Sequence, residues 1–168
     1  MVSAPSLGHE AMVSLMMHIT CRHSIAVAHR IFEYGGTCER LHGHNYRLVI
    51  DLCADALDDL GMVADFRTVK KVLFQAVDAA WDHRTLLYDR DPLCAPLMKL
   101  LTDGSVAPAP FNPTAENMAA HLGTAIFPKA LQDAGLNTVQ VLSVTVYETD
   151  NNSATWTNDA LPDGRNHR

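Results

Sequence analysis

The densest cluster of chemistry-bearing side chains in the sequence is Cys38-Glu39-Arg40-Leu41-His42-Gly43-His44. On an extended backbone His42 and His44, two residues apart, project from the same face, so both imidazoles can meet one metal ion. A third ligand must come from another segment, and His29, at the end of the preceding strand, is the candidate. Three neutral imidazoles with a fourth position open to water or substrate oxygen make the arrangement of a catalytic zinc site. Spacing alone is permissive, because an isolated His-x-His run also makes a polar turn. Cys38 is a candidate proton-transfer residue, since a thiol close to a dication and other polar groups can act as a base near neutral pH. Taken singly, a cysteine is more often a small buried hydrophobe. Asp82-His83 offers a second acid/base, with the carboxylate orienting and stabilising an imidazolium; the same pair also suits a solvated helix end.

The whole composition is compatible with such a site. Nine histidines among 168 residues supply ligands and proton carriers in plenty. Hydrophobic residues at 48% and charged residues at 19% indicate a globular chain of one domain. Thirteen Lys and Arg against nineteen Asp and Glu give a net charge of -6, which argues against a nucleic-acid binder working through a basic surface. No stretch reaches the roughly 18 consecutive apolar residues of a membrane span. Residues 1–14 lack the basic and apolar regions of a secretory signal, so the sequence predicts a cytoplasmic protein. Its four cysteines (Cys21, Cys38, Cys53, Cys94) are then expected to be reduced.

The elements that must position these residues follow from periodicity. Alternation from Met17 to Ala28 and from about His44 to Ala54 predicts two strands, antiparallel because the Gly35-Gly36 turn region between them is short. Asp65 caps a helix running to about Trp81. Residues 88–113, rich in Pro, Asp and Gly, read as a long surface loop with one helical turn near Leu97 to Leu101. Asn112-Pro113-Thr114 opens a second helix that Gly135 closes, with Pro128 interrupting its regular part. Val139 to Thr149 and a short strand through Trp156 form a second hairpin. The expected fold is α+β, order ββααββ, an antiparallel four-stranded sheet with two helices on one face. Exposed edges and an open sheet face make oligomerisation a reasonable expectation. Residues 1–14 are expected to be a mobile leader, 15–157 a single domain and 158–168 a mobile tail.

Several separate motifs, in order, resemble the 6-pyruvoyl-tetrahydropterin synthase / 6-carboxy-tetrahydropterin synthase family. They are His29, Cys38-x-x-x-His42-Gly43-His44, Gly61-Met62-Val63-x-Asp65-Phe66, Asp82-His83, Pro113-Thr114-x-Glu116-Asn117 and Val146-Tyr147-Glu148-Thr149. The resemblance covers about residues 17 to 156. It implies the tunnelling fold (T-fold), in which such subunits form trimeric barrels that stack as a homohexamer with active sites between subunits. It also implies one Zn2+ on His29, His42 and His44, catalytic roles for Cys38, Asp82 and His83, and a pterin-anchoring role for Glu148. An ionised carboxylate can accept two parallel N–H bonds from the ring's guanidine-like edge. Thr114 and Glu116 match a segment lining the pterin pocket, and Glu39 matches a position near substrate in a subgroup that makes a hydroxymethyl product.

The family's substrate is dihydroneopterin triphosphate, and its members end with a pyruvoyl, carboxyl or hydroxymethyl side chain. The four-residue spacing of Cys38 from His42 is that associated with 6-carboxy-tetrahydropterin enzymes of the queuosine route. His42-Gly43-His44-Asn45-Tyr46 and Val146 to Asn152 look like the pyruvoyl-forming enzymes. Leu87, where the family commonly has a polar residue, and Ile25 to Val27, in place of a Phe-x-Ala-Ala approach, depart from the pattern. The carboxyl outcome is the expectation; a non-catalytic zinc- and pterin-binding protein is the alternative of another class. Arg22, His23, Arg30, Arg84 and Lys99 are all candidate phosphate contacts that spacing does not separate.

Overall fold

Alternating side chains set which way the first hairpin faces. In strand β1 (His18–His29) Cys21, Ile25, Val27 and His29 are buried on one face, and in β2 (His42–Ala54) Tyr46, Leu48, Ile50 and Leu52 do the same. The computed structural model describes residues 17–161 and pairs the two strands antiparallel, with His29 opposite His42 and Val27 opposite His44. This register brings the end of one strand against the start of the next, where three of the histidines lie.

Helix α1 (Phe66–Trp81) covers that face with Val69, Leu73, Val77 and Trp81, one residue per turn. Asp65 caps it as expected, accepting from the Thr68 N–H at 2.8 Å. Strand β3 (Arg84–Tyr88), helix α2 (Cys94–Leu100) and strand β4 (Val106–Ala109) follow. The second helical rod is continuous but not uniform: α3 (Ala115–His121), a π-helical segment (Leu122–Ile126) and α4 (Phe127–Asp133). The widened segment lies just before Pro128, whose ring and missing N–H a regular turn could not absorb. Gly135, at φ +73°, ends the rod as expected. Strands β5 (Val139–Tyr147) and β6 (Ser153–Thr157) complete the fold.

The expected four-stranded antiparallel sheet is corrected. The sheet has six strands in the order β4-β3-β1-β2-β5-β6, and it is mixed, because β3 runs parallel to both β1 and β4. A third helix, α2, accompanies the two expected ones. The 88–113 segment therefore contains a helix and a strand, and physical reasons hide them in the sequence. Leu86 packs into the main core while its neighbour Leu87 packs under α2 with Cys94 and Val106, so both faces of β3 are apolar and no alternation remains. Pro108 is admissible because β4 is an edge strand.

Residues 1–14 lie outside the described residues, as does most of the expected tail. Its first residue, Asn158, hydrogen-bonds back to β5, with N–H donating to Leu142 O at 2.9 Å. All four cysteines are free. Among the described residues no helix is long and apolar enough to cross a membrane.

One close approach locks β6 to the helical rod. A Cβ built on Gly123 would overlap the Trp156 ring, so only glycine lets the π-helical segment and β6 meet. A Gly123→Ala substitution is expected to destabilise by about 1–3 kcal/mol, as overpacking does. Urea unfolding should show a lower midpoint with an unchanged slope.

Candidate active site

The three histidines expected to bind metal meet at the end of the β1–β2 hairpin. One ligand nitrogen from each of His29, His42 and His44 lies within 4.8 Å of the others. His29 Nδ1 donates to Pro113 O at 2.7 Å, and His42 Nδ1 donates to Arg40 O at 2.7 Å. Each bond fixes the tautomer and leaves Nε2 as the lone-pair nitrogen, the outer-sphere arrangement that metal-binding histidines use. Two imidazoles so oriented, with His44 beside them, fit a divalent ion of the zinc class.

Glu148, the residue after β5, reaches the same point. Its Oε1 lies 3.7 Å from His29 Nε2 and 3.8 Å from His44 Nε2. Tyr46, read in the sequence as a strand residue and as the end of the His42-Gly43-His44-Asn45-Tyr46 run but not as a site residue, is fully buried with its hydroxyl 3.1 Å from His29 Nε2. Burial, and then the Glu148 carboxylate beside it, push the Tyr46 hydroxyl far above its ordinary range, so it remains a proton donor. Strand alternation gave no signal for this role, because a core tyrosine and a site tyrosine occupy the same position in the pattern.

Cys38, Thr114, Glu116 and Glu148 line one cleft together with Tyr34, which did not stand out in the sequence, and Asn152, the end of the Val146 to Asn152 run. Thr114 also caps α3, accepting from the Asn117 N–H at 3.3 Å. Glu39 turns into its own loop, accepting from the Gly35 N–H at 3.0 Å. Asp82 and His83 form the expected pair, His83 Nδ1 donating to Asp82 Oδ2 at 2.7 Å. The Ala26 N–H donates to Asp82 Oδ1 at 2.8 Å, and the His83 N–H to Ala26 O at 2.7 Å. Burial opposes ionisation of Asp82, but the Ala26 N–H and His83 outweigh it and hold its carboxyl below the usual range.

This pair does not join Cys38 within one chain. His83 lines a separate groove with Ala26, Ala28, Gly43, His44 and Arg84, and its side chain is 81% exposed. His83 also adopts φ +56°, a conformation that costs energy for a non-glycine residue and often marks functional positions. Of the candidate phosphate contacts, His23 is paired with Asp78 at 2.6 Å and Arg30 with Asp91 at 3.0 Å, whereas Arg84 lines the groove. Leu87 is fully buried in the cluster under α2.

Burial lowers the pKa of both His29 and His121; for His29 the Pro113 carbonyl offsets this only in part. A histidine whose folded value is depressed binds fewer protons than the unfolded chain, so stability rises with pH. The contribution is complete above the ordinary histidine value of about 6.5 and is lost as pH falls below it. Urea titrations of metal-free protein should therefore show the unfolding free energy declining from pH 7 towards pH 5.

The family model for 6-pyruvoyl tetrahydropterin synthase matches residues 18–159, which include every side chain of this site. The chain belongs to the 6-pyruvoyl tetrahydropterin synthase family. Among curated relatives of this family, the 6-carboxy-5,6,7,8-tetrahydropterin synthase of Rickettsia typhi is 37% identical over 136 residues, covering 81% of this chain and 96% of the relative. A probable 6-carboxy-5,6,7,8-tetrahydropterin synthase of Halobacterium salinarum is 37% identical over 125 residues, covering 74% of this chain and 76% of the relative. The solved 6-pyruvoyl tetrahydropterin synthase of Caenorhabditis elegans shares the fold with a TM-score of 0.60 at 22% identity, over 85% of this chain and 96% of that one. An uncharacterized protein from Wolinella succinogenes does so at 0.72 and 23%, over 87% and 100%. The six-stranded mixed sheet is thus the form this family's fold takes here.

Proposed function

We propose that the chain is a zinc-dependent 6-carboxy-5,6,7,8-tetrahydropterin synthase, a cytoplasmic lyase of the queuosine (7-deazaguanine) route. It converts 7,8-dihydroneopterin triphosphate to carboxytetrahydropterin, acetaldehyde and triphosphate, with water supplying the second carboxyl oxygen. The observation that carries this reading is the meeting of Glu148 with His29 and His44 at 3.7 and 3.8 Å, which sets a ring-anchoring carboxylate beside a metal-binding cage. The curated relatives at 37% identity carry the name of this activity.

His29, His42 and His44 hold the Zn2+, which when bound supplies Lewis-acid polarisation of the substrate's side-chain hydroxyls. Glu148 accepts two N–H bonds from the pterin's guanidine-like edge and so orients the ring. Thr114 and Glu116 close the wall of the same cleft. Cys38 Sγ takes a proton from the side chain, and His83, its charge balanced by Asp82, is the second proton carrier. Because His83, held by Asp82, lines a different groove from Cys38, the complete set is assembled between subunits of a homohexamer.

The test is release of triphosphate from 7,8-dihydroneopterin triphosphate by purified protein before and after chelation. Stripped protein is expected to be inactive and to recover on addition of Zn2+. Turnover that survives complete removal of metal would contradict the metal's role.

A further inference from the structure

The loop that carries Cys38 stands on a buried ion pair. Arg30, the residue after β1, places Nε 3.0 Å from Asp91 Oδ2, with the Asp91 side chain at 0% and the Arg30 side chain at 14% exposure; the two atoms meet as charges and neither completes a hydrogen bond. The other Asp91 oxygen accepts from the Leu93 N–H at 2.9 Å, in the turn that leads into α2. The far arm of the same guanidinium, Nη2, lies 3.5 Å from Glu39 Oε1. Glu39 Oε2 in turn accepts from the Gly35 N–H at 3.0 Å, and the Ile31 N–H donates to Cys38 O at 2.8 Å.

Burying such a charge pair is costly, and apolar residues of similar volume are often as stabilising. What Arg30 adds is reach, because one side of its guanidinium meets Asp91 by charge while the other arm meets Glu39. Here it spans three segments: the strand end bearing His29, the turn before α2, and the residue next to Cys38. We propose that Arg30, anchored on Asp91, is a positioning residue that holds Glu39 and thereby fixes the Cys38 thiol relative to the three histidines. Arg30 and Glu39 are then engaged with each other and with Asp91 and the Gly35 N–H, in place of the phosphate and substrate contacts considered for them from sequence. The inference rests on the reading of Cys38 as a proton carrier, and its test has one readout that needs no turnover.

Arg30→Lys keeps a charge against Asp91 but lacks the fork, and Glu39→Ala removes a side chain that is 37% exposed, so both variants keep the core intact. The probe is the rate of iodoacetamide alkylation of Cys38 in zinc-loaded protein, located by peptide mass; Cys21, Cys53 and Cys94 are buried and serve as unreactive references. Both variants are expected to alkylate severalfold faster than the parent, with zinc content unchanged. Where the parent turns over the pterin, both should lose about tenfold in kcat with KM nearly constant, as misplacement of a reacting group does. A raised KM with unchanged alkylation would overturn the proposal and make Glu39 a substrate contact. Unchanged alkylation together with unchanged kinetics would leave the pair a purely structural element and also overturn it. If the parent does not turn over this pterin, the functional reading fails while the alkylation rates still decide the positioning role.

Discussion

Replacing His42 by alanine is expected to strip the protein of zinc and to lower turnover by at least about 10²-fold, since loss of an outer-sphere partner alone costs 10–100-fold in metal affinity or activity. His42 suits this experiment better than His29. It sits half-buried at the start of β2, and its Nδ1 partner is a carbonyl two residues away, so its loss disturbs little else. His29 is 1% exposed and ties β1 to Pro113, so its loss would mix a folding defect with a metal defect. Metal analysis and turnover of His42→Ala should fall together. A variant that kept full zinc would remove His42 from the ligand set.

The second large effect belongs to Cys38. If its thiol carries a proton in the rate-limiting chemistry, Cys38→Ala should lose roughly 10²–10⁴ in kcat, the usual contribution of a positioned acid or base. Zinc content and KM should stay close to those of the parent, because the thiol lines the cleft but belongs to neither the histidine cage nor the Glu148 anchor. Retained turnover in this variant would assign proton transfer to the Asp82–His83 pair alone. The contrast between the two substitutions separates metal binding from proton transfer, which a single activity measurement cannot do.

The histidine cluster was legible in the sequence because strand periodicity is rigid. Residues two apart on β2 share a face, and a short antiparallel connection returns His29 beside them, so the meeting of the three imidazoles follows from local rules. The helix cap at Asp65 and the stop at Gly135 were legible for the same local reason. The β3–α2–β4 excursion was not, because Leu86 and Leu87 are buried on opposite faces and Pro and Gly dominate the flanks. Nor could spacing show that Arg30 is spent on Asp91, a partner that becomes its neighbour only through tertiary packing. The division of Cys38 and His83 between two grooves likewise depends on the parallel pairing of β3 with β1, which has no local signature.

The most direct test of the proposed activity is the fate of the three-carbon side chain. Zinc-loaded protein incubated with 7,8-dihydroneopterin triphosphate is predicted to release acetaldehyde and triphosphate in equal amounts and to leave a 6-carboxy-tetrahydropterin. Release of triphosphate without acetaldehyde, with a 6-pyruvoyl or hydroxymethyl pterin as product, would contradict it.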